Sequence, residues 1–109
     1  MTQDFERSIV RDKAHWITSF VYDPTSSKLV IALTDDPESS ESTRFIVFAD
    51  VDQLESEWTD RDNTRLEGLL GAHEEEIAGL VRYLLVTDQR EIEVLSRMKV
   101  TISSGPTAY

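Results

Sequence analysis

The feature that most constrains the fold is a strict two-residue alternation of side chains near the C-terminal end of the sequence. One face of residues 91–102 carries Ile92, Val94, Ser96, Met98, Val100 and Ile102. The other face carries Glu91, Glu93, Arg97, Lys99 and Thr101, with Leu95 as the exception. Because successive side chains of a β-strand point to opposite faces, the pattern predicts one long, half-buried strand over residues 91–102.

Four further segments are rich in β-branched and aromatic residues, which favour strands. They are residues 15–22, 28–34, 43–49 and 80–87. The sequence Asp23-Pro24-Thr25-Ser26-Ser27 is typical of a turn and would join the first two strands into a hairpin. Residues 43–49 are apolar on both faces, which places them near the centre of a sheet or under cover on both sides.

Two segments between these strands show helical spacing. Asp50 with Gln53 fits a capping box, and Val51, Leu54 and Trp58 follow at helical intervals, so we expect a short helix over 51–58. A weaker helical pattern over residues 3–13 predicts a second short helix that covers one sheet face.

Residues 64–78 allow two interpretations. In the first, Thr64 and Glu67 form a capping box and begin a helix. Its apolar stripe is Leu66, Leu69, Leu70, His73, Ile77 and Leu80. Against this, Gly68, Gly71 and Gly79 would each cost about 1 kcal/mol in a helix interior. In the second interpretation, residues 64–70 form a strand and residues 71–78 form a loop.

These elements predict an α+β fold with an antiparallel sheet of five to six strands, in two hairpin-linked groups, and one or two short helices. The length of 109 residues is typical of a single domain. We assign that domain to residues 1–103 and expect residues 104–109 to form a flexible C-terminal tail.

The charge of the chain limits its partners. The net charge is −10, and residues 35–76 alone carry fourteen acidic and three basic side chains. Such a balance argues against binding the backbone of a nucleic acid and against docking on anionic lipid. The N-terminal residues lack the apolar segment of a signal peptide, no apolar run is long enough to span a membrane, and there is no cysteine. We therefore expect a cytoplasmic protein.

No motif predicts catalysis, a metal or a cofactor. The chain has two histidines, His15 and His73, and Ile77 stands where an HExxH motif needs its second histidine. The segment from Asp60 begins like a calcium-binding loop, but Arg65 occupies the position of its glycine. Nucleophile and phosphate-loop motifs are also absent from the sequence, so we expect no catalytic residue, no metal ligand and no cofactor.

Trp58 lies among acidic residues, an arrangement typical of an aromatic interface anchor surrounded by charge. The predicted partner-binding residues are Asp50, Asp52, Glu55, Glu57, Trp58, Asp60 and Asp62. Two structural alternatives stay open: Trp58 caps the core at the end of a helix, and the acidic residues only form a solvated surface.

Several segments together resemble a known class of bacterial protein. These are a His-Trp strand, a Tyr-Asp-Pro turn, TRFIVFADV, and RYLLVTDQREIEVLSRMKVTI. Their layout resembles small uncharacterised bacterial domains encoded beside polymorphic toxins, some of which act as immunity proteins. The resemblance implies a non-enzymatic cytoplasmic protein that binds and blocks a toxin domain, but it assigns a role to no individual residue.

The leading hypothesis is therefore a small acidic, non-catalytic binding protein, an inhibitor or immunity-type partner of a basic protein. One alternative is a small-ligand-binding or enzymatic domain with a pocket between the sheet and a helix. The other is a homo-oligomeric module, such as a homodimer, in which the long C-terminal strand pairs with its copy.

Overall fold

The computed structural model describes residues 14–38, 42–61 and 64–104, which form eight β-strands. In chain order the strands are β1 (Trp16–Asp23), β2 (Lys28–Thr34), β3 (Arg44–Phe48), β4 (Val51–Trp58), β5 (Glu67–Ile77), β6 (Leu80–Thr87), β7 (Arg90–Ser96) and β8 (Thr101–Ser104). The described residues contain no helix, and accordingly none that could span a membrane. The predicted α+β fold is therefore wrong: this part of the chain is all-β.

The strands form one antiparallel sheet in the order β4-β7-β6-β5-β1-β2-β3-β8. Its two four-stranded halves meet between β1 and β5, where only Trp16↔Gly68 and Ile17↔Glu67 are paired. The rings of Phe48 on β3 and Tyr83 on β6 nevertheless lie 5.1 Å apart, edge to face. The sheet therefore folds over at the β1–β5 junction and packs its two halves against each other.

The core lies between these two inner faces. Its members come from both halves: Ile17, Leu29, Ile31, Leu33, Ile46, Phe48, Val51, Leu69, Ala72, Val81, Tyr83, Leu85, Ile92 and Val94. Burying a large aliphatic or aromatic side chain contributes roughly 1.5–3 kcal/mol, so this layer is the main source of stability. It also fixes which side chains of β4, β6 and β7 point outwards.

The predicted helix over 51–58 is strand β4, which pairs along its length with β7. The helical spacing has a simple origin, because a β-bulge between Val51 and Gln53 shifts the phase of the strand. Val51 and Leu54 thus contact the core three positions apart, although the chain is extended. A bulged strand imitates the spacing of a helix at the point where its phase changes.

The same effect explains residues 64–78. The predicted helix is wrong, and the alternative is right only for part of its strand: residues 67–70 are extended, but residues 71–77, expected as a loop, continue the strand. Strand β5 runs through the whole of Glu67–Ile77, and its pairing with β6 shifts between Leu69 and Gly71. Leu69 and Ala72, three positions apart, are therefore both buried. The β5–β6 hairpin closes at Ala78 and Gly79, both of which have positive φ, as a two-residue turn of the favoured hairpin type requires.

The single long strand predicted over 91–102 is also wrong. Strand β7 ends at Ser96 and β8 begins at Thr101, and the two lie in different halves of the sheet. The Ser96 hydroxyl lies 2.6 Å from the Ala49 carbonyl oxygen and accepts the Met98 N–H at 3.3 Å, which stabilises the bend. Two-residue alternation continues through the bend, so the pattern alone did not reveal it.

The remaining predicted strands are confirmed: residues 28–34 and 80–87 match β2 and β6, and residues 15–22 and 43–49 match β1 and β3 to within a residue or two. Ser104, assigned to the tail, pairs with Arg44 in β8. The short helix predicted over 3–13 and the tail residues 105–109 lie outside the described residues.

Candidate binding surface

The strand register places four glutamates on one outer face. Strand β4 pairs with β7 so that Glu55 lies opposite Glu93 and Glu57 opposite Glu91. In both strands the neighbouring positions point to the core side, where Ile92 and Val94 are fully buried. We refer to Glu55, Glu57, Glu91 and Glu93 as the acidic face.

The acidic face lines a groove of about 540 Å³ on the outside of the sheet. The lining residues are the four glutamates with Ser56, Arg82 and Leu84. Leu84 on β6 lies beside Glu93, so it forms part of the floor of the groove. Four of the seven lining residues are glutamates and one is an arginine, so the groove is predominantly negative.

Arg82 is the one cation among the described residues that line the groove. Its guanidinium donates to Glu93, and it lies 3.3 Å from Glu75 on β5. The hydrogen bond and charge of Glu93, followed by those of Glu75, raise the Arg82 pKa above its ordinary value. Arg82 thus offsets the charge at one side of the groove, whereas Glu55, Glu57 and Glu91 form no ion pair with another residue in the described part of the chain.

Like charges directly opposite each other on paired strands are unfavourable. The acidic face contains two such pairs in succession, Glu55 with Glu93 and Glu57 with Glu91. If stability alone had shaped this surface, we would expect a cation on one strand of each pair. Arg82 on the neighbouring strand β6 plays that part for Glu93, with which it forms an ion pair. Local rules of this kind are most often broken where a surface has a function.

A smaller apolar pocket of about 270 Å³ adjoins the groove. Its lining residues are Gln53, Ile77, Ala78, Leu80, Arg82, Glu93 and Leu95. Arg82 and Glu93 line both spaces, so the acidic groove runs directly into the apolar pocket. Ile77 is 43% exposed there.

The predicted partner-binding residues do not form a single cluster. Glu55 and Glu57 lie together on the acidic face, whereas Trp58 follows them on the opposite face of β4. Asp52 lies at the bulge and forms an ion pair with Arg97 at 3.1 Å. Asp50 occupies the β3–β4 turn with positive φ, Asp60 is exposed just beyond β4, and Asp62 lies outside the described residues.

Trp58 stacks on a buried guanidinium rather than standing free among carboxylates. The Arg90 guanidinium carbon lies 4.3 Å from the Trp58 ring centre and 4.4 Å from that of Phe20. Arg90 Nε donates to Glu67 at 2.7 Å, and both side chains are only 9% exposed. This arrangement favours the structural alternative for Trp58, although 40% of the residue remains exposed.

Two residues of the acidic face were missed by the sequence analysis. Glu91 and Glu93 were recognised as outward-facing but were not included among the partner-binding residues, because nothing in the sequence says that β7 lies beside β4. The signal that could have found them is the repeated Glu-x-Glu spacing, present at both 55–57 and 91–93.

The histidines do not lie in a metal-binding arrangement. His15 is buried, His73 lies opposite Leu84 in the β5–β6 pair, and no three potential ligands among His, Asp and Glu come together in the described part of the chain.

The hydroxyl of the buried Tyr83 forms two hydrogen bonds: it donates to Glu74 and accepts the Val100 N–H at 2.8 Å. Burial raises the pKa of Tyr83 to about 12.

Comparisons with known proteins inform the fold alone. No protein-family model matches the chain, and no curated protein matches it. Among solved structures, it is similar to a crystal structure of an uncharacterized protein from Neisseria gonorrhoeae, with a TM-score of 0.62 and 7% sequence identity. The similarity covers 83% of this chain and 90% of the other, so the folded sheet occurs in a second protein of similar extent.

Proposed function

We propose that this protein is a non-catalytic binding protein that holds a basic protein partner on its acidic face. The observation that carries the proposal is the register that sets Glu55 against Glu93 and Glu57 against Glu91 beside an open groove. A cationic partner would turn two unfavourable cross-strand pairs into favourable contacts. Binding and relief of repulsion therefore act in the same direction.

Long-range charge supports the same role. The whole chain carries a net charge of −10, and complementary fields raise the rate at which charged partners meet. Charged groups around a groove act mainly on specificity and association rate, whereas apolar contacts slow dissociation. The pocket beside Ile77 offers such an apolar contact at one end of the groove.

The specific form of the proposal is an inhibitor or immunity-type protein, which the sequence resemblance implies. A small protein that blocks a basic toxin domain needs a rigid surface rather than a catalytic centre. A groove lined by side chains on three paired strands, β4, β7 and β6, supplies such rigidity.

The two alternatives receive less support from the described residues. The pocket expected between the sheet and a helix has no such helix, since residues 51–58 and 67–77 are strands. The C-terminal strand was expected to pair with its copy, but β7 has no free edge, because it is paired with β4 on one side and β6 on the other. Of the two strands that replace the predicted one, only the four-residue β8 lies at an edge of the sheet, which is a short stretch for pairing with a copy.

The test is affinity capture from a lysate of the source organism with three immobilised proteins: wild type, Glu57→Lys and Glu38→Lys. The last two make the same change in net charge, but Glu38 is exposed in the β2–β3 connection. We expect wild type and Glu38→Lys to retain the same basic protein at low salt and release it at high salt, and Glu57→Lys to lose it. Equal retention by all three proteins would contradict the proposal.

A further inference from the structure

Strand β4 is one edge of the sheet. It pairs with β7 on one side, and no strand among the described residues pairs with its other side. It is eight residues long, whereas β8 at the opposite edge has four. In an edge strand, alternate residues direct their backbone N–H and C=O groups away from the sheet, and these groups can pair with another strand.

The side chains along this edge leave the backbone accessible. Seven residues follow the buried Val51 in β4; six of them are exposed and Leu54 is half-buried. Gln53, Glu55 and Glu57 point to the outer face, and the alternate positions, Leu54 and Trp58 among them, point to the inner side. An added strand would therefore meet carboxylates on one face and apolar side chains on the other.

Charge decides which strand fits. The β4 strand of a second copy would bring further carboxylates against Glu55 and Glu57, and like charges on paired strands are unfavourable. A strand with Lys or Arg at every second position would instead place cations beside both glutamates. Its intervening positions, if apolar, would contact Leu54 and Trp58.

We propose that the basic partner binds by strand addition: it contributes a β-strand with alternating basic and apolar residues that pairs with β4 and extends the sheet. This inference rests on the proposed function and specifies the partner segment. Glu55 and Glu57 are two residues apart, which corresponds to about 6.6 Å along a strand. The cations must therefore also be two residues apart, because adjacent basic residues would point to opposite faces.

The experiment uses four synthetic, fluorescently labelled peptides as probes. The first is acetyl-Thr-Lys-Val-Lys-Val-Lys-Thr-amide. The second has the same composition with the three lysines adjacent. The third and fourth have the first sequence with N-methyl groups on alternate residues, at odd positions in one and at even positions in the other, so that one of them blocks the hydrogen bonds to β4. Affinity is measured by fluorescence anisotropy for wild type, Glu57→Lys and the matched Glu38→Lys control.

We expect the first peptide to bind in a salt-sensitive manner. Rearranging the lysines, N-methylation in one phase or the Glu57→Lys substitution should each weaken it by about tenfold. The first and third changes remove facing charges, and N-methylation removes the backbone hydrogen bonds to β4. Glu38→Lys should bind as wild type does. Amide hydrogen exchange measured by NMR should slow at alternate residues of β4 when the first peptide is bound.

Two other results are decisive. If all the peptides bind wild type equally and exchange in β4 is unchanged, strand addition is overturned while the acidic face remains a binding surface. If no peptide shows salt-sensitive binding, the proposed function fails and strand addition fails with it. A dimer in light scattering with β4 amides protected in the absence of peptide would also overturn the inference, since a second copy would then occupy the edge.

Discussion

Reversing one charge on the acidic face should stabilise the protein while it weakens partner binding. Glu57 lies directly opposite Glu91, and Glu93 is its diagonal neighbour on β7. In the Glu57→Lys variant a repulsive cross-strand pair becomes an attractive one. The same substitution removes one of the carboxylates that the proposed partner would contact.

The magnitude follows from the strand geometry. Side chains directly opposite on antiparallel strands place their charges about 6 Å apart, and unit charges at that distance in water interact by about 0.7 kcal/mol. Replacing repulsion with attraction changes the free energy of unfolding by about twice that value, or about 1.4 kcal/mol, at very low salt. Screening at physiological ionic strength reduces the gain to about 0.6 kcal/mol.

The assay is urea denaturation of wild type, Glu57→Lys and Glu38→Lys at low and high salt. Glu38→Lys provides the effect of the lower net charge alone, because Glu38 lies outside the acidic face. We expect Glu57→Lys to exceed this control at low salt and to approach it as salt is added. A variant no more stable than the control at low salt would refute the repulsion on which the site is argued.

Three further predictions concern the scaffold. Arg90→Met should lower the free energy of unfolding by about 3–5 kcal/mol in urea melts, because it leaves the Glu67 carboxylate buried without its cation. The double variant Arg90→Met/Glu67→Leu should recover much of that loss. A loss below about 1 kcal/mol in Arg90→Met would contradict this role of the ion pair. Ser96→Ala should lower the free energy of unfolding by about 1–3 kcal/mol in the same assay, since the Ala49 carbonyl loses its hydroxyl donor. An unchanged denaturation midpoint would contradict a stabilising role of Ser96 at the end of β7. The pKa of Tyr83 is raised to about 12, so on raising the pH this tyrosine ionises first in the unfolded chain. Its contribution to stability should therefore be complete below about pH 10 and fall as the pH rises towards 12. Tyr83→Phe should remove this fall, and a fall of equal size in that variant would contradict the assignment.

The sequence predicted individual strands well where the two-residue pattern is uninterrupted. Residues 28–34 and 80–87 have no bulge within them, and their bounds were predicted without error. The failures at β4 and β5 both coincide with bulges, at Val51/Gln53 and at Leu69/Gly71. A bulge inserts one residue into the phase, and the resulting spacing of three imitates a helix. Strand β1 also has a bulge, between Ile17 and Ser19, but its β-branched and aromatic residues still identified it as a strand, whereas β4 and β5 are poor in such residues and their periodicity was misleading.

Long-range pairing was the second limit. The alternation over 91–102 correctly marked Ile92 and Val94 as inward, but it placed Met98 on the same face, and Met98 is 55% exposed beyond the end of β7. It also gave no sign that β7 and β8 belong to opposite halves of the sheet. Alternation records which face is buried and carries no information about which strand lies alongside. For the same reason Glu55 and Glu57 could be predicted as site residues, while Glu91 and Glu93 could be joined to them only through the register.

The prediction for Trp58 shows how the period changes the interpretation of a site. In a helix, Trp58 and the neighbouring carboxylates would have shared one surface. In a strand, Trp58 points away from Glu57 and stacks against Arg90, which lies opposite it in β7. The acidic residues remain exposed on the outer face, so the candidate binding surface is the acidic face and is not centred on Trp58.

The central claim is that the acidic face, and not another part of the surface, receives a basic partner. NMR titration of the ¹⁵N-labelled protein with the alternating-lysine peptide tests it most directly, because each backbone amide reports its own surroundings. The account predicts that the amides of β4 and those of Glu91 and Glu93 shift first and most, and that the shifts diminish as salt is added. Shifts concentrated on β2, β3 or β8, with β4 and β7 unchanged, would contradict it.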